Sequence, residues 1–445
     1  MNPSTRRQFL KRSLSGAALL IGGSLVDGAV LLWGKDEAAP MGASLNAWLR
    51  IAADESVTIL VAKSEMGQGV YTSLPMIVAD ELEADWGRVK VEAAPAEDRY
   101  KDPGFGLQAT GGSSAVRHFR AILRAAGAGA REMLVEAAAR QWGVPAAECQ
   151  AAAGTVAHAK TGRRLSYGRL AAHAASLPVP ADPRLKEGRE QNFVGKAWPR
   201  VDMADKVAGT ARFGIDTFVP GMLYGALSRP HAYGARPVSY DAAAAKAVPG
   251  VRGVVERASG VGVVADDLPS AWKGRDALAV EWGVGSRPDW TDAALDKLLA
   301  DALGMDGLSA RADGNAVRAL AGAAKTLEAE YRFPYLCHAT MEPMNCTADV
   351  RADACEVWAP TQNQTGTQAA AAALSGLAPD KVRVHTTYLG GGFGRRFELD
   401  FVTEALLLSK ASKRPVKLVW TREDDMKNGF YRPASRCRVR GGQGP

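Results

Sequence analysis

The sequence predicts an α+β protein organised around a duplicated unit. Three observations carry this. A layout of strand, turn, helix, strand, glycine-rich loop and helix occurs near residues 57–120 and again near 355–410. A stretch of different character, with short apolar runs broken by glycine and proline, separates the two copies. The chain has 445 residues, more than one ordinary hydrophobic core serves, which points to about two to four domains.

The first 35 residues read as an address. Ser4-Thr-Arg-Arg-Gln-Phe-Leu-Lys11 is followed by a modest apolar stretch, Leu14 to Val26, diluted by Gly16, Gly22 and Gly23. The pattern resembles a twin-arginine signal and is set aside from fold reasoning. No clean Ala-x-Ala site follows it, so both a cleaved signal and an uncleaved inner-membrane anchor stay open. The expected location is the periplasm, reached by the route that carries folded proteins.

The first copy occupies residues 44–178. Val57-Thr-Ile-Leu-Val61 alternates like a strand, and Glu65-Met-Gly-Gln-Gly69 is a loop. Leu74, Ile77, Val78 and Leu82 mark one helix face, and Val89-Lys-Val91 is a second strand. A long loop then reaches Thr110-Gly-Gly-Ser-Ser114 and another helix. Prolines 178, 180, 183 and 199 mark a linker, and residues 195–285 form a separate α+β module. Residues 284–325 are polar and alanine-rich, a connector with a helix. The second copy, within 310–445, has strands at Cys355–Trp358 and Val382–Val384. Its loops are Thr361–Thr367 and Leu389-Gly-Gly-Gly-Phe-Gly394, and its helices lie near Gln368–Leu374 and along Leu399, Val402 and Leu406.

The net charge of +7 is unevenly spread: residues 410–445 hold ten Lys and Arg against Glu423, Asp424 and Asp425. Basic and aromatic residues are not interleaved along the body, which argues against nucleic-acid binding. The basic tail suits either an anionic cofactor or partner, or a solvated face. The five cysteines match no zinc or iron–sulfur spacing and read as small buried apolar residues. No histidine pair has helical metal-ligand spacing, and no protein-held metal site is expected.

Chemistry is expected at three loops: Met66-Gly67-Gln68-Gly69, Gly111-Gly112-Ser113-Ser114, and Gly390 to Gly394 with Arg395. Each is read as opening a helix, where converging backbone N–H groups and the helix N-terminus favour anions. Gln68, Ser113 and Ser114 would add donors, and Arg395 and Arg396 formal charge. None matches the dinucleotide fingerprint or the P-loop. Three such loops suggest one long ligand with several anionic groups.

Together these residues resemble the molybdenum-binding subunit of the xanthine dehydrogenase and aldehyde oxidase family. The resemblance rests on Arg200–Gly214, Pro220–Gly225 and Pro249–Val251, similar to the family's α/β hammerhead domain. It rests also on Cys337-His-Ala-Thr-Met-Glu-Pro343 and Gly390–Gly394, similar to the opening of its cofactor domain. Here Met-Gly-Gln-Gly precedes the hammerhead, an order that resembles the isoquinoline 1-oxidoreductase beta type. The resemblance implies a molybdenum hydroxylase large-subunit fold, with 195–285 as the hammerhead and 44–178 and 310–445 as molybdopterin-binding units. It implies a molybdopterin cofactor with molybdenum, in the cytosine dinucleotide form. Gly391, Phe393 and Gly394 would line metal and pterin, and Met66, Gly67 and Gln68 would contact pterin and phosphates. Gly112, Ser113 and Ser114 would bind the nucleotide end or phosphates, and Arg432 would lie near the substrate. The implied activity is oxidation of an N-heteroaromatic or aldehyde small molecule with water. With no iron–sulfur cluster in this chain, electrons would leave through a small [2Fe-2S] partner subunit, with a cytochrome c as a further acceptor. The family's late Gly-Glu motif, which carries the catalytic base, has no counterpart here, and Leu336 stands where xanthine dehydrogenases have glutamine. No catalytic residue is assigned, and the chain is expected to be incomplete at its C-terminus. The alternatives are a non-catalytic cofactor-binding fragment and a periplasmic binding protein for a nucleotide-like anion.

Overall fold

The computed structural model describes residues 43–257 and 260–444. The signal-like segment lies outside the described residues. The described chain divides into two compact units, one holding everything up to Met222 together with Asn345–Lys417, the other Leu223–Met344 with Leu418 onward.

The first unit contains both copies of the repeat, and they share one topology. In the first, the strand Val57–Val61 pairs antiparallel with Leu49–Ile51 and parallel with Val89–Ala93, in register Val57↔Val89 to Val61↔Ala93. In the second, Cys355–Ala359 pairs antiparallel with Asn345–Val350 and parallel with Val382–Thr386, in register Cys355↔Val382 to Ala359↔Thr386. A parallel pair needs a crossover, and in each copy a helix supplies it: Val70–Leu82 in one, Gln364–Ser375 in the other. The second helix starts four residues earlier than the expected Gln368, because Asn363 caps it by accepting from the Gly366 N–H at 2.8 Å.

All five residues of Val57–Val61 are buried, although the run reads as alternating. A central strand covered on both faces has no wet side, and Thr58 is carried inside with its neighbours. The long helix Ala115–Trp142 lies on Val70–Leu82 through small residues. At Gly127 a methyl group would stand 2.5 Å from the Val78 carbonyl, so the close crossing requires glycine there. Leu74, Val78, Leu82, Leu123, Ala126 and Leu134 fill the interface and belong to one core. Among the described residues no helix is long and apolar enough to cross a membrane.

The second unit has an antiparallel meander, Val251–Arg257 beside Gly260–Ala265 beside Leu223–Ser228. Its helices Ala242–Ala247 and Leu268–Ala277 are capped by Asp241 and Asp267. The connector holds two helices, Asp292–Ala302 and Ala316–Ala321. Lys325–Phe333 and Ser435–Gln443 then pair antiparallel as a ribbon. Here the basic tail finds its partners: Arg436 pairs with Glu330, Arg438 with Glu328 and Glu330, and Arg440 with Glu328. The opposite strand therefore matches three of the tail's arginines with two glutamates. Cys346 and Cys355 are buried as small apolar residues, while Cys437 is exposed because this ribbon has no core beneath it.

Candidate functional site at three joined loops

The three glycine loops all belong to the first unit and are tied to one another by buried polar side chains. Gln362 is the central tie. Its amide nitrogen donates to the Thr110 carbonyl at 2.9 Å, and its amide oxygen accepts from the Gly394 N–H at 3.0 Å. Its backbone carbonyl accepts from the Thr110 N–H and its N–H donates to the Arg396 carbonyl, each at 2.8 Å. A Cβ at Gly392 would come within 2.7 Å of the Gln362 amide oxygen and 2.6 Å of the Met66 sulfur, so glycine there lets this loop rest on the Met66–Gly69 loop and on Gln362. Ser64 adds a second tie: its N–H donates to the Thr110 hydroxyl at 2.8 Å and its hydroxyl donates to the Thr361 carbonyl at 2.7 Å. The Leu389 N–H donates to the Glu65 carbonyl at 3.0 Å, bringing the Gly390–Gly394 loop against the base of the Met66–Gly69 loop.

The Met66–Gly69 loop is shaped from within. The buried Glu65 carboxylate accepts from the N–H groups of Gly67 at 2.9 Å, Gly69 at 3.1 Å and Tyr71 at 3.0 Å. Arg200 donates to the same carboxylate at 3.1 Å and to the Gly67 carbonyl at 2.8 Å. Gln68 folds back, accepting from the Met66 N–H at 2.7 Å and donating to the Ser64 carbonyl at 2.8 Å. The amides expected to face an anion are thus occupied by the protein's own carboxylate and carboxamide. What the loop offers outward is the exposed surface of Gly67 and Gln68 and the half-buried Met66. Arg200 also holds Asp202: its bonds, against burial and with help from Lys206, keep that carboxyl at about 2.

The Gly111–Ser114 turn is built differently. Ser114 is buried, and its hydroxyl donates to Asp102 at 2.8 Å, so it faces the interior. Gly112 and Ser113 are exposed, with φ of 58° and 53°. Among the described residues neither donates its N–H to the protein. Beneath the turn lies an ionic cluster that sequence reading passed over. Lys63 donates to Asp102 at 2.5 Å, to the Ala109 carbonyl at 2.6 Å and to Ser114 at 3.1 Å. His118 meets the other Asp102 oxygen at 2.5 Å, and the Gly104 N–H donates to it at 2.8 Å. Burial pushes the Asp102 carboxyl up, but bonds from Lys63, His118, Gly104 and Ser114 together hold it down at about 2. Burial also pulls the Lys63 ammonium below its ordinary value, against the pull of Asp102. The available signal was a lysine two residues beyond a fully buried strand, a position that demands a buried partner.

In the Gly390–Gly394 loop, Gly391 and Gly394 have φ of 92° and 98°, and Phe393 sits at 54° and is 60% exposed. A left-handed, exposed aromatic is a costly conformation that only surrounding bonds maintain. Arg395 and Arg396 do not add charge to the face of this loop, as the sequence reading expected. Both are buried: Arg395 forms a two-pronged pair with Asp400 at 2.9 and 2.7 Å, and Arg396 donates to the Gly391 carbonyl at 2.8 Å. The loop opens on the short 3-10 turn Arg395–Phe397 rather than directly on the helix Asp400–Ser412. Arg432 belongs to the second unit, where its backbone bridges to Leu336.

The joined loops have glycine at a point of close approach and exposed left-handed residues at two of their tips. Two models described as molybdopterin cofactor-binding domain match residues 16–215 and 300–443. The chain belongs to the molybdopterin-binding proteins of the xanthine dehydrogenase and aldehyde oxidase family. It is 35% identical over 447 residues to the beta chain of isoquinoline 1-oxidoreductase from Brevundimonas diminuta, covering 89% of this chain and 56% of that one. It is 33% identical to the membrane-bound aldehyde dehydrogenase (pyrroloquinoline-quinone) of Gluconacetobacter polyoxogenes, covering 98% and 58%. With a nicotinate dehydrogenase subunit of Pseudomonas putida it shares 30% identity, covering 86% and 32%. Among solved structures, quinoline 2-oxidoreductase from Pseudomonas putida 86 aligns with a TM-score of 0.46 at 20% identity, over 56% of this chain and 37% of that one. The chain thus spans little more than half the length of the first two relatives.

Proposed function

We propose that this chain is the cofactor-holding part of a molybdenum hydroxylase that oxidises an N-heteroaromatic or aldehyde substrate with water and passes electrons to a small [2Fe-2S] partner subunit. The observation that carries the reading is the tie at Gln362, which joins the Gly111–Ser114 turn to the Gly390–Gly394 loop, with Met66 against Gly392. The names of the relatives, acting on isoquinoline, aldehyde and nicotinate, support the substrate class.

The residues fit the cofactor. The open N–H groups of Gly112 and Ser113 at a helix start suit phosphate oxygens. The exposed Phe393, between the left-handed Gly391 and Gly394, would line the flat pterin. When bound, molybdenum supplies a Lewis acid and a two-electron acceptor. The chain's own part is to orient that group: Gln362 and Ser64 fix the loops against one another, and Glu65 with Arg200 sets the shape of the Met66–Gln68 face. Preorganised contacts of this kind lower the cost of placing substrate and cofactor together.

The finer reading is a cytosine dinucleotide form of the cofactor, iron–sulfur centres confined to the partner, a cytochrome c acceptor beyond it and export to the periplasm by the twin-arginine route. The Arg6-Arg7 segment supports export. The test is to produce the full chain with a candidate [2Fe-2S] subunit, then measure molybdenum by elemental analysis and released nucleotide by mass spectrometry. One molybdenum and one CMP per chain, with oxidation of isoquinoline or an aldehyde, is the expected result. A metal-free chain sinks the reading. A second reading is binding without turnover; molybdenum and CMP retained with no oxidation would select it.

A further inference from the structure

Beside the Gly111–Ser114 turn stands an aromatic ring that the proposed function leaves unused. Phe105 is 43% exposed, yet it is held firmly from behind. Its own turn is closed by bonds from the Phe105 and Gly106 N–H groups to the Asp102 carbonyl, at 3.1 and 2.8 Å. The His118 ring packs edge-to-face on it at 5.6 Å and 71°. That histidine is wedged against Gly104, where a Cβ would collide with it at 2.3 Å, and is anchored on Asp102. The buried Lys63 ammonium lies 5.7 Å from the Phe105 ring centre, a cation behind an aromatic face. The ring also adjoins the turn: a methyl at Gly112 would reach the Phe105 Cζ at 3.2 Å. Arg117, one turn into the helix, donates to the Gly112 carbonyl at 3.4 Å and brings a guanidinium to the same spot.

We infer that Phe105 is a stacking platform for the base of a nucleotide whose phosphate rests on Gly112, Ser113 and Arg117. This rests on the phosphate reading of that turn. The physical grounds are the ring's geometry. A scattered surface phenylalanine is mobile and unsupported, whereas this one is braced by the His118 ring and the Lys63 ammonium and is still 43% exposed. It adjoins the backbone that would hold the phosphate, so one nucleotide spans both. Stacking tolerates any base because each presents a π-face, so the platform supplies affinity rather than base selection.

The full chain, produced without cofactor, is titrated calorimetrically with CMP, GMP and ribose 5-phosphate. Both nucleotides are expected to bind more tightly than ribose 5-phosphate. Phe105→Ala is expected to weaken CMP and GMP by about tenfold and leave ribose 5-phosphate unchanged, with Phe105→Trp restoring the difference. Arg117→Gln should weaken all three and flatten their salt dependence. Far-UV circular dichroism checks that each variant folds. Ribose 5-phosphate binding as tightly as CMP, or Phe105→Ala binding CMP like the parent, overturns the platform alone. Failure of the parent chain to bind any of the three overturns the phosphate reading with it.

Discussion

The Met66–Gly69 loop and the Gly111–Ser113 turn look alike in sequence and are opposites in structure. Both are glycine-rich, both precede a helix, and both read as places where backbone N–H groups converge on an anion. In the first, the anion is already present: the Glu65 carboxylate takes the amides of Gly67, Gly69 and Tyr71. In the second, the buried polar groups sit under the turn and leave its outer amides open. A glycine pattern therefore states that backbone can approach something. Whether that something is the protein's own side chain or a ligand depends on where the nearest carboxylate is aimed.

The comparison can be broken most severely at Lys63. Lys63→Met leaves Asp102 buried beside a neutral neighbour, and losing one partner of such a pair costs about 3–5 kcal/mol. Denaturant unfolding should show that loss, and an unchanged midpoint would mean the cluster is not what supports the turn.

Glu65→Gln tests the other loop with a smaller effect, about 2–3 kcal/mol for weakened charge-assisted bonds. Hydrogen exchange should quicken at Gly67, Gly69 and Tyr71 while the Ser114 and His118 N–H groups, bonded to the Gly111 and Ser114 carbonyls, keep their protection. Equal loosening of both loops would show that they are one cooperative device rather than two.

Acid sharpens the contrast. The Asp102 carboxyl is held at about 2 in the fold, below the roughly 4 of an unfolded aspartate. Its contribution to stability is therefore complete above pH of about 4 and is lost as the pH falls towards 2. The midpoint of Asp102→Asn, lower at neutral pH, should be flatter than that of the parent across this window; parallel curves would refute the assignment.

The smallest effect is expected at the tip. Ser113→Gly suits a φ of 53° and should change stability by less than about 1 kcal/mol. Binding of inorganic phosphate should survive it, because the backbone N–H remains. Loss of phosphate binding would transfer the role from the amide to the hydroxyl.

Much of the fold was legible because periodicity reports burial. The strand Val57–Val61 and the helix face Leu74, Ile77, Val78 and Leu82 follow from spacing alone, and so does the duplicated order of elements. The parallel pairing of each copy, with the same antiparallel neighbour, extends that duplication into three dimensions. Side-chain direction was not legible. Arg395 and Arg396 read as surface charge and are buried, because Asp400 and the Gly391 carbonyl lie behind the loop. The basic tail reads as a solvated face or an anion-binding patch, yet three of its arginines, Arg436, Arg438 and Arg440, meet Glu328 and Glu330 across a ribbon more than a hundred residues apart in sequence.

By itself the sequence determined the elements, their repetition and the positions where backbone can come close, since these depend on local spacing and on the missing Cβ of glycine. The tertiary structure alone decided which polar groups meet. Gln362 joins two distant loops, and Lys63 finds Asp102 and His118, only after the chain has brought segments together that no local pattern relates. A buried polar atom must have a partner, and folding chooses which one.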